Sequence, residues 1–442
     1  MVRPGFKQTE VGEIPEDWDV LTLADLCSAN GLVRGPFGGA LKKETFTTSG
    51  YTVYEQRHAI AGSTEVSRYF INKEKFNELI RFQVKPGDLI ISCSGTIGRI
   101  FRIPEHAPEG IINQALLKIT LKDNVSSDFF VSLFKSPYIQ EKIVDSSHGG
   151  AMPNLVGMDD FKKTLFQMPR HDEQKVIAKA LSDVDELIVS LEKLIAKKRD
   201  IKTATMQQLL TGKTRLPGFG ESKGTKKTEL GEIPEDWEIF SFFEKVDIAQ
   251  GQVNPLHEPY RSMVLIGPKH VESGTGKLVF TETAYEQRAI SGKYIFMKGD
   301  VLYGKINPYL MKATLAKTDG LCSADMYPLR PKTDFSSGFL LAVILGEAFT
   351  KYAVSVSARS GMPKINRKEF AEFKLLAPTN KEEQIAIASI LTEMDDEILY
   401  LQKRCAKIRE IKQGMMQELL TGRTRLVDVP AHQVDRERLH GT

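Results

Sequence analysis

Two blocks of this chain occur twice. TEVGEIPEDWDV at residues 9–20 returns as TELGEIPEDWEI at 228–239 with nine of 12 positions identical, and the 44 residues at 173–216 return at 383–426 with 23 identities and no gap. The segments between them, 19–172 and 240–382, mostly do not match. A duplication that keeps its scaffold while its inserts diverge predicts one architecture built twice and carrying two different readers. The distance between copies falls from 219 residues at the first block to 210 at the second, so the second insert is nine residues shorter.

A chain of 442 residues is too long for one core, and its 41% hydrophobic and 26% charged residues are ordinary for a globular protein. No apolar run approaches the roughly 20 residues of a membrane span, and MVRPGFKQTE has no signal-peptide core, so a cytoplasmic protein is expected. The four cysteines, Cys27, Cys93, Cys322 and Cys405, stand far apart with no metal-ligand spacing, which predicts reduced thiols and no metal site. A net charge of +3 is small for a protein that neutralises a long DNA backbone alone. If it binds nucleic acid, partners are expected to share the phosphates.

The second repeated block is helical. Ile177, Leu181, Val184, Ile188, Leu191, Ile195 and Ile201 recur at alternating steps close to three and four, and Ile387, Leu391, Met394, Ile398, Leu401, Cys405, Ile408 and Met415 repeat the pattern. Gly212 and Gly422, in TGKTRL and TGRTRL, are placed to end the two helices. Each seam needs a partner, and the simplest one is the other helix. Chain connectivity then demands an antiparallel pair, with the two variable domains expected at opposite ends of it about a pseudo-twofold axis.

The organisation expected is a first variable domain at 1–172, a helix at 173–212, a basic linker at 213–227, a second variable domain at 228–381, a helix at 382–422 and a polar tail at 423–442. Pro15 and Pro234 predict an extended opening to each domain, and Trp18 and Trp237, the only two tryptophans, are its core anchors. Runs such as GDLIISCSGTIGRIFRI at 87–103 and GDVLYGKI at 299–306 read as strands, so each body is α+β, mixed and strand-rich. Weak correspondences inside the bodies are YEQR at 54–57 and 285–288, PGD at 86–88 and KGD at 298–300, and AMP at 151–153 and GMP at 361–363.

Sequences that imitate catalytic motifs fail in detail. TGKT at 211–214 ends a helix instead of starting one, and SGTGK at 273–277 has Leu278 where a phosphate-binding loop needs Ser or Thr, so it reads as a turn. Asn307-Pro308-Tyr309 lacks the second proline of the tetrapeptide that holds a flipped adenine in amino-methyltransferases, and no glycine-rich cofactor loop accompanies it. His58, His106, His148, His171, His257, His270, His432 and His440 form no pattern with Ser or Cys nucleophiles. No catalytic residue is assigned.

Taken together, the duplicated Ile-Pro-x-x-Trp opening, RGPFGGALK at 34–42, GKINPYLMKATLA at 304–316, the Met-Pro segment and the Glu-x-Gln start of a helix ending Leu-Leu-Thr-Gly resemble the specificity subunit of bacterial type I restriction-modification systems, from about residue 9 to 426. The resemblance implies a non-catalytic subunit with two target recognition domains, each reading half of a split double-stranded DNA sequence. It implies docking of modification (methyltransferase) subunits, two per chain, and through them restriction subunits. S-adenosylmethionine, ATP and Mg would then belong to those partners. Two readers on a fixed spacer would address half-sites roughly 10 base pairs apart.

Base reading in the major groove favours Arg or Lys on guanine and Asn or Gln on adenine. In the first domain that selects Arg34, Lys42, Lys43, Gln56, Arg57, Arg99, Asn113 and Gln114. The second offers Gln287, Arg288, Lys305, Asn307, Tyr309, Lys312, Arg359, Lys364 and Asn366, with Arg34 and Lys305 the first choices. Competing readings are a stand-alone coiled-coil DNA-binding or scaffolding protein and a self-sufficient modification enzyme.

Overall fold

The computed structural model describes residues 2–145, 154, 155, 157–220, 224–357 and 361–427. Two compact units form, Met1–Ser190 with Cys405–Thr442, and Leu191–Arg404. Each long helix is therefore divided between them. The expected scheme of two domains and two separate helices becomes two domains that each include half of either helix.

The first long helix runs His171–Leu210 and the second Lys381–Leu419, each with acidic residues in its first turn that favour the positive helix end. Gly212 and Gly422 follow at φ +68° and +69°, the left-handed conformation that ends a helix. Within the second unit, Lys198 pairs with Glu397 at 2.7 Å and Lys202 with Asp395 at 2.6 Å, an antiparallel register. In the first unit Lys412 meets Asp185 at 2.6 Å, and Ile177 and Leu181 share a core with Met415 and Leu419.

The seam is largely as expected. Ile177, Leu181, Ile188, Leu191, Ile195, Ile387, Leu391, Ile398, Leu401 and Cys405 are buried, and Val184, Met394, Ile408 and Met415 are half-buried. Ile201 departs from it, at 42% exposed. Its neighbour Lys202 turns inward to reach Asp395, so one charged pair occupies a place that apolar spacing assigned to isoleucine.

Both units repeat one sheet plan. The first has an antiparallel sheet in the order Ile100–Arg102, Leu89–Ser92, Leu116–Leu121, Cys27–Arg34, and the second has Ala313–Leu315, Val301–Gly304, Met326–Pro331, Val246–Ile248 in the same order. A second sheet in each contains one parallel pair, Tyr51–Tyr54 beside Gly110–Ile112 and Leu265–Ile266 beside Gly320–Cys322. Seven of the nine residues missing from the second copy are lost between Trp18/Trp237 and His58/His270, and two between Asp88/Asp300 and Leu116/Met326. The contraction is in loops around a constant frame.

The repeated sequence has a specific structural use. In the first unit Arg425, from the segment after the second helix, donates to both carboxylate oxygens of Asp17 at 2.9 Å and to Glu173 at 2.5 and 2.7 Å, and its guanidinium lies over the Trp18 ring. In the second unit Arg215 does the same to Asp236, Glu383 and Trp237. Pro15 and Pro234 close over Gly422 and Gly212, where an added Cβ would stand 2.4 and 2.5 Å from proline Cγ. Gln174 and Gln384 accept from Ser126 N–H and Ser336 N–H, both at 2.8 Å. The matched blocks thus form two equivalent clasps. Residues 213–227, expected as a linker, include Arg215 of the second clasp and begin the hairpin Thr225–Thr228/Gly231–Pro234.

The clasps differ at one atom. Trp18 Nε1 donates to Glu173 at 3.1 Å, whereas the buried Nε1 of Trp237 has no hydrogen-bond partner among the described residues. Trp18→Phe is expected to cost about 1.5–3 kcal/mol more than Trp237→Phe in urea unfolding, because only the first removes a bond to a charged acceptor. Equal losses would show that ring volume alone matters.

Candidate nucleic-acid interface

In the first unit the parallel strand pair ends side by side at Tyr54 and Ile112, and four loops meet there. Asn113 N–H donates to Tyr54 O at 2.9 Å, Gly35 N–H to Leu116 O at 2.9 Å, Cys93 N–H to Ala115 O at 2.9 Å, and Gln56 Nε2 to Ser94 Oγ at 3.2 Å. Gly35 is required by this crowding, since a Cβ would fall 1.8 Å from Asn113 O. Ser92 Oγ fixes the turn at 95–98 by donating to Thr96 O at 2.5 Å and accepting from Arg99 N–H at 2.9 Å.

Arg57, Arg99, Gln114, Lys42 and Lys43 are exposed along these loops. Arg34 is half-buried, with its Nε enclosed and without a hydrogen-bond partner among the described residues. It lies close enough to Cys93 to moderate a thiol that burial pushes up to about 11. Two candidates serve the loops themselves: Asn113 Oδ1 accepts from Ala115 N–H at 3.1 Å, and the Gln56 amide donates to Ser94. Their polar groups hold the turn, which corrects a reading of them as free base contacts.

Behind the loops, His58 is fully buried, accepts from Glu55 N–H at 2.9 Å through Nδ1, and faces Ser67 Oγ at 3.0 Å through Nε2. Burial lowers its pKa, and its two ring nitrogens, held by Glu55 N–H and Ser67 Oγ, make it a fixed brace for the turn bearing Arg57. His270 repeats the brace, accepting from Gly267 N–H at 2.8 Å and meeting Glu282 at 3.1 Å. This aligns Gln56-Arg57-His58 with Pro268-Lys269-His270.

The shared YEQR string is therefore a false guide. Tyr285–Arg288 lies within a turn in which Glu286 accepts from Thr283 N–H, away from the frame position that Tyr54–Arg57 occupies. Gln287 spends its amide on Leu265 O, while Arg288 is exposed at φ +50°. Lys269, paired with Glu282 at 2.7 Å, is the residue that sequence comparison missed. Its signal was available as a basic residue before a histidine, 30 positions ahead of the Gly-Asp aspartate in both copies.

In the second unit the structure joins two candidate segments. Asn307 N–H donates to Pro363 O at 2.8 Å and Ile365 N–H to Lys305 O at 3.0 Å, so the Asn-Pro-Tyr loop and the Gly-Met-Pro segment form one surface. Asn307 and Met311 adopt φ +51° and +50° on either side of Tyr309, which is 60% exposed, and Lys364, which pairs with Ile306, is exposed as well. Lys305 Nζ lies 4.8 Å above the Tyr327 ring, which Arg367 also touches at 5.3 Å. Tyr327 is a support that strand patterning alone does not mark.

Lys312 and Asn366 do not belong to the free set. Lys312 Nζ donates to Val271 O at 2.5 Å, and Asn366 caps the helix Arg367–Glu372 through Lys368 N–H and Glu369 N–H. Arg359, like the Ala-Met-Pro segment at 151–153, lies outside the described residues. The segment 273–277 is the expected turn, closed by Glu272 N–H on Lys277 O at 2.9 Å. Among the described residues no cluster of His, Cys, Asp and Glu could hold a metal ion, and no single helix is long and apolar enough to cross a membrane.

Comparison with known proteins agrees with this layout. The family model described as Type I restriction modification DNA specificity domain matches twice, at residues 15–202 and 234–413. The EcoDI specificity subunit of Escherichia coli is 32% identical over 258 residues, 54% of this chain and just over half, 56%, of that protein. The MjaVIII specificity subunit of Methanocaldococcus jannaschii is 28% identical across 95% of this chain and 96% of its own. Among solved structures, a chain from work on complex assembly and conformational transition of the type I R-M system matches with TM-score 0.57 at 16% identity, covering 93% of this chain and 99% of that one. The type I S subunit from M. genitalium matches with TM-score 0.52 at 17% identity, covering 91% and 96%. With both frames matched by one family model and both built on one sheet plan, the chain belongs to the type I restriction-modification DNA specificity family.

Proposed function

We propose that this chain is the sequence-recognition subunit of a type I restriction-modification complex, reading a bipartite double-stranded DNA target with one loop edge in each unit. The observation that carries this reading is a common frame with unlike edges. The arginine ion pairs of the clasps, the sheet order and the buried histidines are the same in both units, while the exposed polar residues at the strand ends differ. A frame held constant under variable loops is what reading two unrelated half-sites requires.

Modification subunits, two per chain, are the proposed partners, with restriction subunits joining through them in the cytoplasm. The chain itself supplies no chemistry in this reading; S-adenosylmethionine, ATP and Mg are handled by the partners. Its small net positive charge fits shared neutralisation of the phosphates.

The test is competition binding by the complex with its modification subunits, at fixed salt, after N6-methyladenine mapping of host DNA has given the split site. Arg34→Ala is expected to weaken binding by about 1–3 kcal/mol through the first half-site alone, and Lys305→Ala through the second alone. A uniform loss on all DNA would make either residue a phosphate contact. Methyl transfer by the isolated chain, or tight unique-site binding without partners, would overturn the subunit reading.

A further inference from the structure

Phe37 is 77% exposed, more than any other aromatic side chain among the described residues. Its position is not a matter of slack. Gly35, two residues before it, is pressed against Asn113 and Gln114, Pro36 is buried, and Ala40 and Leu41 pack on the core of the sheet that contains Tyr51–Tyr54. The short segment that bears the ring is thus anchored at both ends.

Its surroundings select the kind of surface it meets. Phe37 is the single exposed aromatic of the first unit's described residues, and the side chains that share its loop edge are mainly basic and polar. The loop that bears it runs from Arg34 to the exposed Lys42 and Lys43 and abuts exposed Gln114. A lone stiff apolar ring projecting from a basic and polar edge has the form of a side chain that enters a base stack and kinks the duplex.

We propose that Phe37 is an apolar wedge that inserts into the duplex at the first half-site and favours a pyrimidine–purine step, the step most easily unstacked. This rests on the DNA-recognition reading above and adds a source of specificity that needs no hydrogen bond to a base. Discrimination at that position arises from the cost of opening the step. The second unit has no equivalent ring on this loop, since its strand Val246–Ile248 leads into Ala249-Gln250-Gly251-Gln252-Val253-Asn254-Pro255-Leu256, and strand register sets Val253 where Phe37 stands.

The experiment uses the full complex with its modification subunits and cognate duplexes carrying 2-aminopurine at one position at a time through the first half-site, excluding the adenine that is methylated. Wild type is expected to raise fluorescence about threefold or more at a single step, and Phe37→Ala to abolish that rise and weaken binding about tenfold; Phe37→Leu should restore part of both. Protection of the first half-site by wild type with no rise at any position overturns the wedge. So does an F37A complex with unchanged affinity and fluorescence, or one that loses its modification subunits while the intact remainder binds normally, which would make Phe37 a protein contact. Absence of protection over the first half-site by wild type would instead overturn the DNA-recognition reading on which the wedge depends.

Discussion

Arg425→Ala is expected to destabilise the first unit by about 3–5 kcal/mol, and Arg215→Ala to do the same to the second. The size follows from what is left behind. Glu173 and Glu383 have side chains 0% and 1% exposed, and each guanidinium supplies two of the hydrogen bonds that compensate a buried carboxylate. Removing the cation leaves a buried charge without its partner, which costs far more than the pair contributes. Lysine should not rescue, because one ammonium cannot grip two carboxylates in the bidentate geometry of an arginine.

The two tryptophans make the measurement selective. Trp18 lies in one clasp and Trp237 in the other, so Trp→Phe in the second unit leaves fluorescence reporting on the first, and the converse holds. Urea midpoints unchanged by Arg425→Ala in the Trp237→Phe background would refute the clasp as a stabilising element. Acid provides a further check. The hydrogen bond from Arg425 lowers the Asp17 pKa against an opposing desolvation. A depressed carboxylate contributes stability above its unfolded pKa and loses it as pH falls through the folded value, so the effect of Arg425→Ala should shrink below the ordinary carboxylate range.

Phe370→Ala carries the second large effect, about 3–5 kcal/mol in the second unit. Its ring is 0% exposed and meets Phe242, Tyr303, Tyr327 and Phe349 with centroids 4.9, 5.6, 6.1 and 5.5 Å away. The deletion removes a hub instead of one contact. Tyr327 also supports Lys305, so binding through the second half-site should weaken beyond what the loss of folded protein explains. Phe370→Leu keeps most of the volume and should cost below about 1.5 kcal/mol. If the alanine variant unfolds but Phe370→Leu leaves second-half-site binding unaltered, the ring is a core residue only.

The repeat was a sound guide to architecture because its conserved residues are those that fix the frame. Trp18, Trp237, Gly212, Gly422 and the apolar seam have roles set by local backbone and periodicity, and these are legible along the chain. Ile201 and Lys202 exchange expected places because a nearby carboxylate on the other helix, Asp395, decides which side chain turns inward. No spacing rule contains that carboxylate.

The reading edge was less legible for the same reason. Lys312 is spent on Val271 O, 41 residues away, which only the folded chain shows, whereas Asn366 caps its own helix in an Asn-x-x-Glu pattern that the sequence already carries. YEQR misled because identity was taken for position, whereas the parallel strand pairs make Lys269 the counterpart of Arg57 in the second copy of the frame. Sequence alone determined that one frame is built twice with two divergent inserts, since helix stops, core anchors and seams depend on neighbours a few residues away. Tertiary structure decided which polar groups remain free to meet another molecule, because many hydrogen bonds and buried charges are satisfied by partners that spacing does not reveal, from Val271 for Lys312 to Glu173 for Arg425 and Asp395 for Lys202.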